Sequence, residues 1–245
     1  SPIPNPQSPF NNLCLIQFKL FIQINIKIYF SKMEGIIFDF NGTLIFDDPI
    51  NMISWKKYAK RKFNYDLTDE EYYKYNGTPG ETWIEGITKG KITGKEASKC
   101  REEKEQQYRE DLRDAEIDLI KGAKDLFNEL KKNNIPFTIA TSADKENIEL
   151  FFEKFKLNQW FDLNKCAYTD GTFKGKPNPD IYLIAAKKIG VDIKKCVVFE
   201  DTKSGVKSGY TAGAKVIGMI AGRNPEDVRK FEKVVDVIND FTEVN

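Results

Sequence analysis

The chain has 245 residues, 40% hydrophobic and 31% charged, with Lys+Arg 38 against Asp+Glu 37 and no histidine. That length buries a full core, as one domain with an insertion or as two small ones. The balanced charge sets aside nucleic acid and the membrane surface, which need a basic excess. The missing histidine sets aside Ser-His-Asp triads and His-ligated zinc. Chemistry is left to carboxylates, lysine, hydroxyls and a hard metal. Cys14, Cys100, Cys166 and Cys196 form no CxxC pair and no metal-ligand spacing. They are expected to be reduced thiols in a reducing, cytoplasmic compartment.

Residues 1–12 are rich in Pro, Asn and Ser, a composition expected to be disordered. From Ile16 the chain alternates apolar and polar residues up to about Phe30, the period of a strand. Lys19 and Lys27 interrupt this stretch and argue against a membrane span, which needs about 20 mainly apolar residues. The stretch has neither the basic start nor the small-residue cleavage site of a signal peptide. The working protein is expected to begin at Met33, with residues 1–32 a dispensable extension.

Beyond Met33, Gly35 to Phe40 is a short apolar run that places Asp39 at its end, followed by Asn41, Gly42 and Thr43. Residues 50 to about 115 show no comparable strand. Thr68–Glu71 and Thr93–Glu96 read as capping boxes that open helices, and residues 77–80 read as a break. The charged stretch 95–113 predicts a helix with a solvated face. Alternation then resumes: helix 123–132, strand 136–141, helix 145–155, strand near 165–168, helix 180–189, strand 196–199, helix near 204–211 and strand 215–219. Short strands alternating with helices imply right-handed βαβ units and a parallel α/β sheet covered on both faces. The expected organisation is a Rossmann-like core from residues 33–47 and 118–245, with an inserted all-helical cap at 48–117.

In such sheets ligands bind at the carboxyl ends of the strands. Asp39 ends the first predicted strand, Thr141 the second, and Glu200-Asp201 a later one. Lys176 lies in the loop Gly-Lys-Pro-Asn-Pro ahead of a helix. Each residue alone has a blander reading: a turn residue, a helix cap, a surface charge. Together they supply a carboxylate nucleophile, a hydroxyl, an ammonium and an acidic pair, the parts that phosphoryl transfer requires.

The order of these motifs resembles the haloacid dehalogenase superfamily. Asp39-Phe40-Asn41-Gly42-Thr43 matches its first motif, Thr141 in Ile-Ala-Thr-Ser its second, Lys176 its third and Glu200-Asp201 its fourth. The match runs from about Met33 to Met219 and is most similar to the β-phosphoglucomutase-like and small sugar-phosphate phosphatase branch. The resemblance implies Asp39 as the nucleophile that becomes an aspartyl phosphate. It implies Mg2+ held by Asp39, Glu200, Asp201 and the backbone carbonyl of Asn41. It implies phosphate binding by Thr141, Ser142, Lys176, the turn Phe40-Gly42-Thr43 and, from the cap, Thr78. Its expected partner is a small phosphorylated metabolite, and its expected state a monomer.

One position departs from the family pattern. The second Asp of the first motif is Asn41, and in typical members that carboxyl protonates the leaving alcohol and then deprotonates the attacking water. Losing a general acid/base costs about 10²–10⁴-fold, so a slow phosphatase is expected. The alternatives are a phosphate-ligand binder without turnover and a β-phosphoglucomutase-like mutase. The mutase is weakened by Gly80 and Asn51, where mutases carry an arginine and a histidine. Phosphonoacetaldehyde hydrolases need a lysine at the Gly80 position, and haloacid dehalogenases need no metal. Trp55 and Trp83 are expected to pack within the cap rather than stack on a sugar.

Overall fold

The computed structural model describes residues 33–75, 78–221 and 228–244. The readings made for residues 1–32 lie outside the described residues. Six parallel strands form one sheet: β1 (Gly35–Phe38), β2 (Phe137–Thr141), β3 (Ala167–Tyr168), β4 (Cys196–Glu200), β5 (Lys215–Met219) and β6 (Val234–Ile238), in the order β3-β2-β1-β4-β5-β6. The chain leaves β1 towards β2 and β3, then returns to the other side of β1 as β4. The change of direction between β1 and β4 is the topological switch point where open α/β sheets bind ligands.

The central strands are apolar on both faces, as a parallel sheet covered by helices requires. Period-2 geometry divides their side chains. Ile36, Phe38, Val197, Phe199, Ile217 and Met219 enter one core layer, and Ile37, Val198 and Val216 the other. Phe38 stacks on Phe199 with ring centroids 5.2 Å apart and meets Phe127 edge-on at 5.4 Å. Helices α5 (Ala123–Lys132) and α6 (Lys145–Lys154) contribute to the first layer, and α7 (Asp180–Ile189) and α8 (Lys203–Ala212) to the second.

Four helices stand between β1 and β2 ahead of α5: α1 (Asp48–Phe63), α2 (Asp69–Tyr75), α3 (Gly80–Ile87) and α4 (Gly94–Asp114). They bury an apolar cluster of their own around Trp55, Tyr58, Tyr72, Trp83 and Ile84. Trp55 and Trp83 stack at 4.5 Å with planes 10° apart, both 3% exposed, so their burial within the insertion follows the sequence expectation. Thr68 and Glu71 form a reciprocal capping box, with the Glu71 N–H donating to Thr68 Oγ1 at 3.2 Å and the Thr68 N–H to Glu71 Oε2 at 3.0 Å. The box expected at Thr93 does not form: Thr93 caps α4 in extended backbone without a side-chain hydrogen bond. Helix α4 is also less solvated than its charge suggests, since Cys100, Lys104, Gln107, Tyr108 and Leu112 are buried along one face. Strand β6 escapes the sequence reading. It lies at the edge of the sheet, only half-buried, and carries Asp236 in its middle.

Candidate active site at the strand ends

The Asp39 N–H donates to the Phe199 carbonyl at 3.0 Å, which carries the β1–β4 pairing one residue past the strand and sets Asp39 beside Glu200. Lys176 approaches from the loop between β3 and α7. Its ammonium donates to Asp39 Oδ1 and to Glu200 Oε1, both at 2.6 Å, and reaches the Ala140 carbonyl at 3.4 Å. The Lys176 loop is anchored by Ser208, whose hydroxyl donates to the Asn178 carbonyl at 2.6 Å, and by the Asn178 amide, which donates to the Gly175 carbonyl at 2.9 Å. Thr43 donates to Asp201 Oδ1 at 3.2 Å.

Glu200 is held from every side. Tyr182 donates to its Oε1 at 2.9 Å, while the Asp201 and Thr202 N–H groups, both at 2.9 Å, and the Thr202 hydroxyl at 3.0 Å donate to Oε2. Thr202 also caps α8 by accepting from the Gly205 N–H. A Cβ on Gly205 would lie 1.7 Å from Glu200 Oε1, so this close approach admits only glycine.

Asp39, Glu200 and Asp201 are all buried, and one carboxylate oxygen from each lies within 4.8 Å of the others. Three carboxylates thus gather around one ammonium. Burial is the first cause, and the charge of Glu200 a further one, of an Asp39 pKa raised to about 7 against the opposing pull of Lys176. Burial alone would raise Glu200 as well, but Lys176 outweighs it and holds that carboxyl below its usual range. Burial would lower the Lys176 ammonium; Asp39 and Glu200 together overcome it and raise it. The donors Tyr182 and Thr202 add to the ammonium in holding Glu200 down, while burial of Asp39 outweighs the pull of Lys176. A buried set with excess negative charge and only oxygen donors fits a hard divalent cation.

The other residues singled out in the sequence fall around this cluster. Thr141 is buried at the end of β2, its Oγ1 accepting from the Ala143 N–H at 3.1 Å. Ser142 is exposed next to it and lines the cavity under the helical insertion. Phe40 points into the core and stacks on Phe151 at 4.2 Å. Gly42 has φ 75°, the left-handed turn expected of it, but its N–H donates to the Ile45 carbonyl at 2.8 Å. In this conformation that N–H closes the loop rather than pointing at a phosphoryl group. Thr78 stands across the cavity on the insertion, its hydroxyl donating to the Tyr75 carbonyl at 2.7 Å, apart from the strand-end cluster.

Asn41 meets residues that the sequence reading missed. Its Nδ2 donates to Asp47 Oδ2 at 2.8 Å and to the Tyr108 hydroxyl at 3.0 Å. The Tyr108 hydroxyl itself donates to Asp47 Oδ2 at 2.6 Å. Burial raises the Asp47 pKa, with the hydrogen bonds from Tyr108 and Asn41 opposing. A carboxylate at position 41 would face that of Asp47 at hydrogen-bond distance, so the amide suits this neighbour.

A family model for haloacid dehalogenase-like hydrolases matches residues 36–219. The chain belongs to this family, as its four ordered motifs implied. Hexitol phosphatase A of Escherichia coli (strain K12) is 28% identical over 214 residues, covering 87% of this chain and 94% of that protein. The phosphorylated carbohydrates phosphatase of Thermotoga maritima is 25% identical, covering 78% and 88%. The crystal structure of a HAD hydrolase, family IA, variant 3, from Entamoeba histolytica HM-1:IMSS superposes with a TM-score of 0.84 at 46% identity, covering 87% of this chain and 96% of that one.

Proposed function

We propose that the chain is a Mg2+-dependent phosphomonoester hydrolase that acts on a small phosphorylated metabolite through an aspartyl phosphate on Asp39. The observation that carries the reading is the Lys176 ammonium bridging Asp39 and Glu200 at 2.6 Å, at the switch point of the sheet. Asp39, Glu200, Asp201 and the backbone carbonyl of Asn41 would hold the Mg2+, which would supply charge neutralisation for the phosphoryl oxygens. Asp39 attacks phosphorus. Lys176 lowers the repulsion between that carboxylate and the incoming phosphate, and stays charged because two carboxylates face it. Thr141 and Ser142 sit where the transferring oxygens arrive. The insertion at 48–117 acts as a cap over the cavity that contains Asn41. Asn41 offers the leaving oxygen no proton: its Oδ1 only accepts, and its Nδ2 donates to Asp47 and Tyr108, so turnover of poor leaving groups is slow. The enzyme is cytoplasmic, a compartment that the free thiols of Cys100, Cys166 and Cys196 fit, and it acts as a monomer.

The direct test is hydrolysis of p-nitrophenyl phosphate with Mg2+, with EDTA as the control and Asp39→Asn alongside. Slow, EDTA-sensitive turnover that Asp39→Asn abolishes supports the reading. Asn41 is the one feature that favours a second reading, a phosphate-ligand binder without turnover. Phosphate binding by titration, with no hydrolysis of any phosphomonoester, selects it.

A further inference from the structure

Helix α4 grips two separate loops of the core from one face. Glu105, Tyr108 and Arg109 fall at i, i+3 and i+4, a spacing that sets side chains next to one another along a helix. Tyr108 meets Asp47 and Asn41. Glu105 and Arg109 meet the first turn of α6, both through Asn147, which is 4% exposed. Asn147 Oδ1 accepts from Arg109 Nη1 at 3.0 Å, and its Nδ2 donates to Glu105 Oε2 at 2.8 Å. Both ends of the amide are thus spent on the helical insertion. Its two partners are held in turn: Glu105 accepts from the buried Lys104 at 3.1 Å, and Arg109 lies 3.7 Å from Asp144.

On the core side, the Asn147 N–H donates at 2.9 Å to Asp144 Oδ1, the N-cap of α6. Thr141, Ser142 and Ala143 run directly into this cap. Thr141 Oγ1 accepts from the Ala143 N–H, and the Ala143 carbonyl accepts from the Thr169 N–H at 3.0 Å. The loop is therefore short, and Asn147 fastens its far end to α4. A second tie joins the same two helices elsewhere. Lys154 Nζ donates to the Arg113 and Ala115 carbonyls at 3.2 and 2.9 Å, about two helical turns beyond Asn147 and away from the loop.

In the phosphatase reading, on which this inference rests, Thr141 and Ser142 receive the transferring phosphoryl oxygens. We propose that Asn147 is a positioning residue for their loop. It fastens the loop to α4 and so keeps it in register with the Asn41 loop, which the same helix face holds through Tyr108. The polar atoms of its side chain are turned to α4, so Asn147 acts through the loop and not on the substrate. Hydrogen bonds to charged partners are short and directional, which suits them to fixing a loop. Small displacements of positioning groups carry large costs in binding and rate.

The test reads kcat and KM for p-nitrophenyl phosphate, and the Kd of inorganic phosphate by calorimetry, with Mg2+ present. Asn147→Ala removes both hydrogen bonds to α4. It should raise KM and Kd by about 10-fold and leave kcat within about 3-fold of wild type. Asn147→Asp sets a carboxylate against Glu105 and should show the same split. Adding Glu105→Gln to it restores an amide–carboxylate pair with its direction reversed, the new amide oxygen still accepting from Lys104. Both constants should return to within about 3-fold of wild type. Lys154→Met cuts the other tie, and should lower the melting temperature without moving KM. Unchanged KM and Kd in Asn147→Ala overturn the proposal, and so does a double variant whose constants stay raised. An equal rise in KM from Lys154→Met overturns it as well, because the effect would then be lost stability. Wild-type protein that neither binds phosphate nor hydrolyses p-nitrophenyl phosphate contradicts the phosphatase reading itself and removes the inference with it.

Discussion

At the strand ends, buried charge is answered by charge: Lys176 lies 2.6 Å from each of two carboxylates. At the wall facing the insertion, the buried carboxyl of Asp47 is answered by neutral donors, the amide of Asn41 and the hydroxyl of Tyr108. The first arrangement keeps an excess of negative charge that a divalent cation can neutralise. The second is complete without an ion and leaves no proton to give. In the proposed function the first half binds and attacks phosphorus, and the second is where proton transfer is altered.

The sharpest way to break this comparison is to remove the ammonium. Lys176→Met strands Asp39 and Glu200 as buried carboxylates, and is expected to cost about 3–5 kcal/mol of stability, read from urea denaturation. A variant that folds as well as the wild type would show that the carboxylates do not depend on Lys176. Gly205→Ala should disturb the same half from the other side. Its Cβ would overlap the Glu200 carboxyl, and Mg2+ affinity, measured by calorimetry, should fall by at least about 10-fold.

The proton-moving half is sharpened by an exchange. Asn41→Asp alone sets two carboxyls against each other at the 2.8 Å now spanned by a hydrogen bond. The pair should share one proton, and the rate should rise only modestly. Asn41→Asp combined with Asp47→Asn restores an amide–carboxylate pair with its direction reversed. It should raise kcat for an alkyl phosphate by about 10²-fold or more. Equal rates for the single and the double variant would remove Asp47 from the account. Tyr108→Phe should have the smallest effect on stability, about 1–2 kcal/mol, for the lost hydrogen bonds to Asp47 and from Asn41.

The strand-end half should also respond to pH. Asp39 is raised from 3.8 to about 7 in the folded, metal-free protein. Between those values the unfolded chain gives up its proton first, so the contribution of Asp39 to stability falls as pH rises from about 4 to about 7. Mg2+ should offset this loss. The melting temperature in EDTA should therefore drop relative to that in Mg2+ as pH increases through this window. A gap between the two curves that shrinks instead would contradict the placement of the cation among these carboxylates.

Much of this was legible in the sequence because the strand-end residues are local. Asp39, Thr141 and Glu200 each follow or end an apolar run, and a parallel sheet brings such ends together by topology alone. The contacts of Asn41 were not legible. Asp47 sits six residues on, past an irregular turn, and Tyr108 lies 67 residues away on a helix whose charged composition conceals its buried face. Tyr182 on Glu200 was not legible either, because it lies within a helix, 180–189, whose contacts with β4 only the fold reveals. Strand β6 was missed because an edge strand that is half-buried, with an Asp inside it, lacks the apolar run that marks its neighbours.

The central claim is that Asp39 becomes phosphorylated. p-Nitrophenolate leaves without needing a proton, so Asn41 slows mainly the later attack of water, and the phosphoenzyme should accumulate. Acid-quenched intact-mass analysis after mixing with p-nitrophenyl phosphate and Mg2+ should show one added phosphoryl group, mapped by peptide analysis to Asp39 and absent from Asp39→Asn. Turnover without that adduct, or an adduct that survives in Asp39→Asn, would contradict the account.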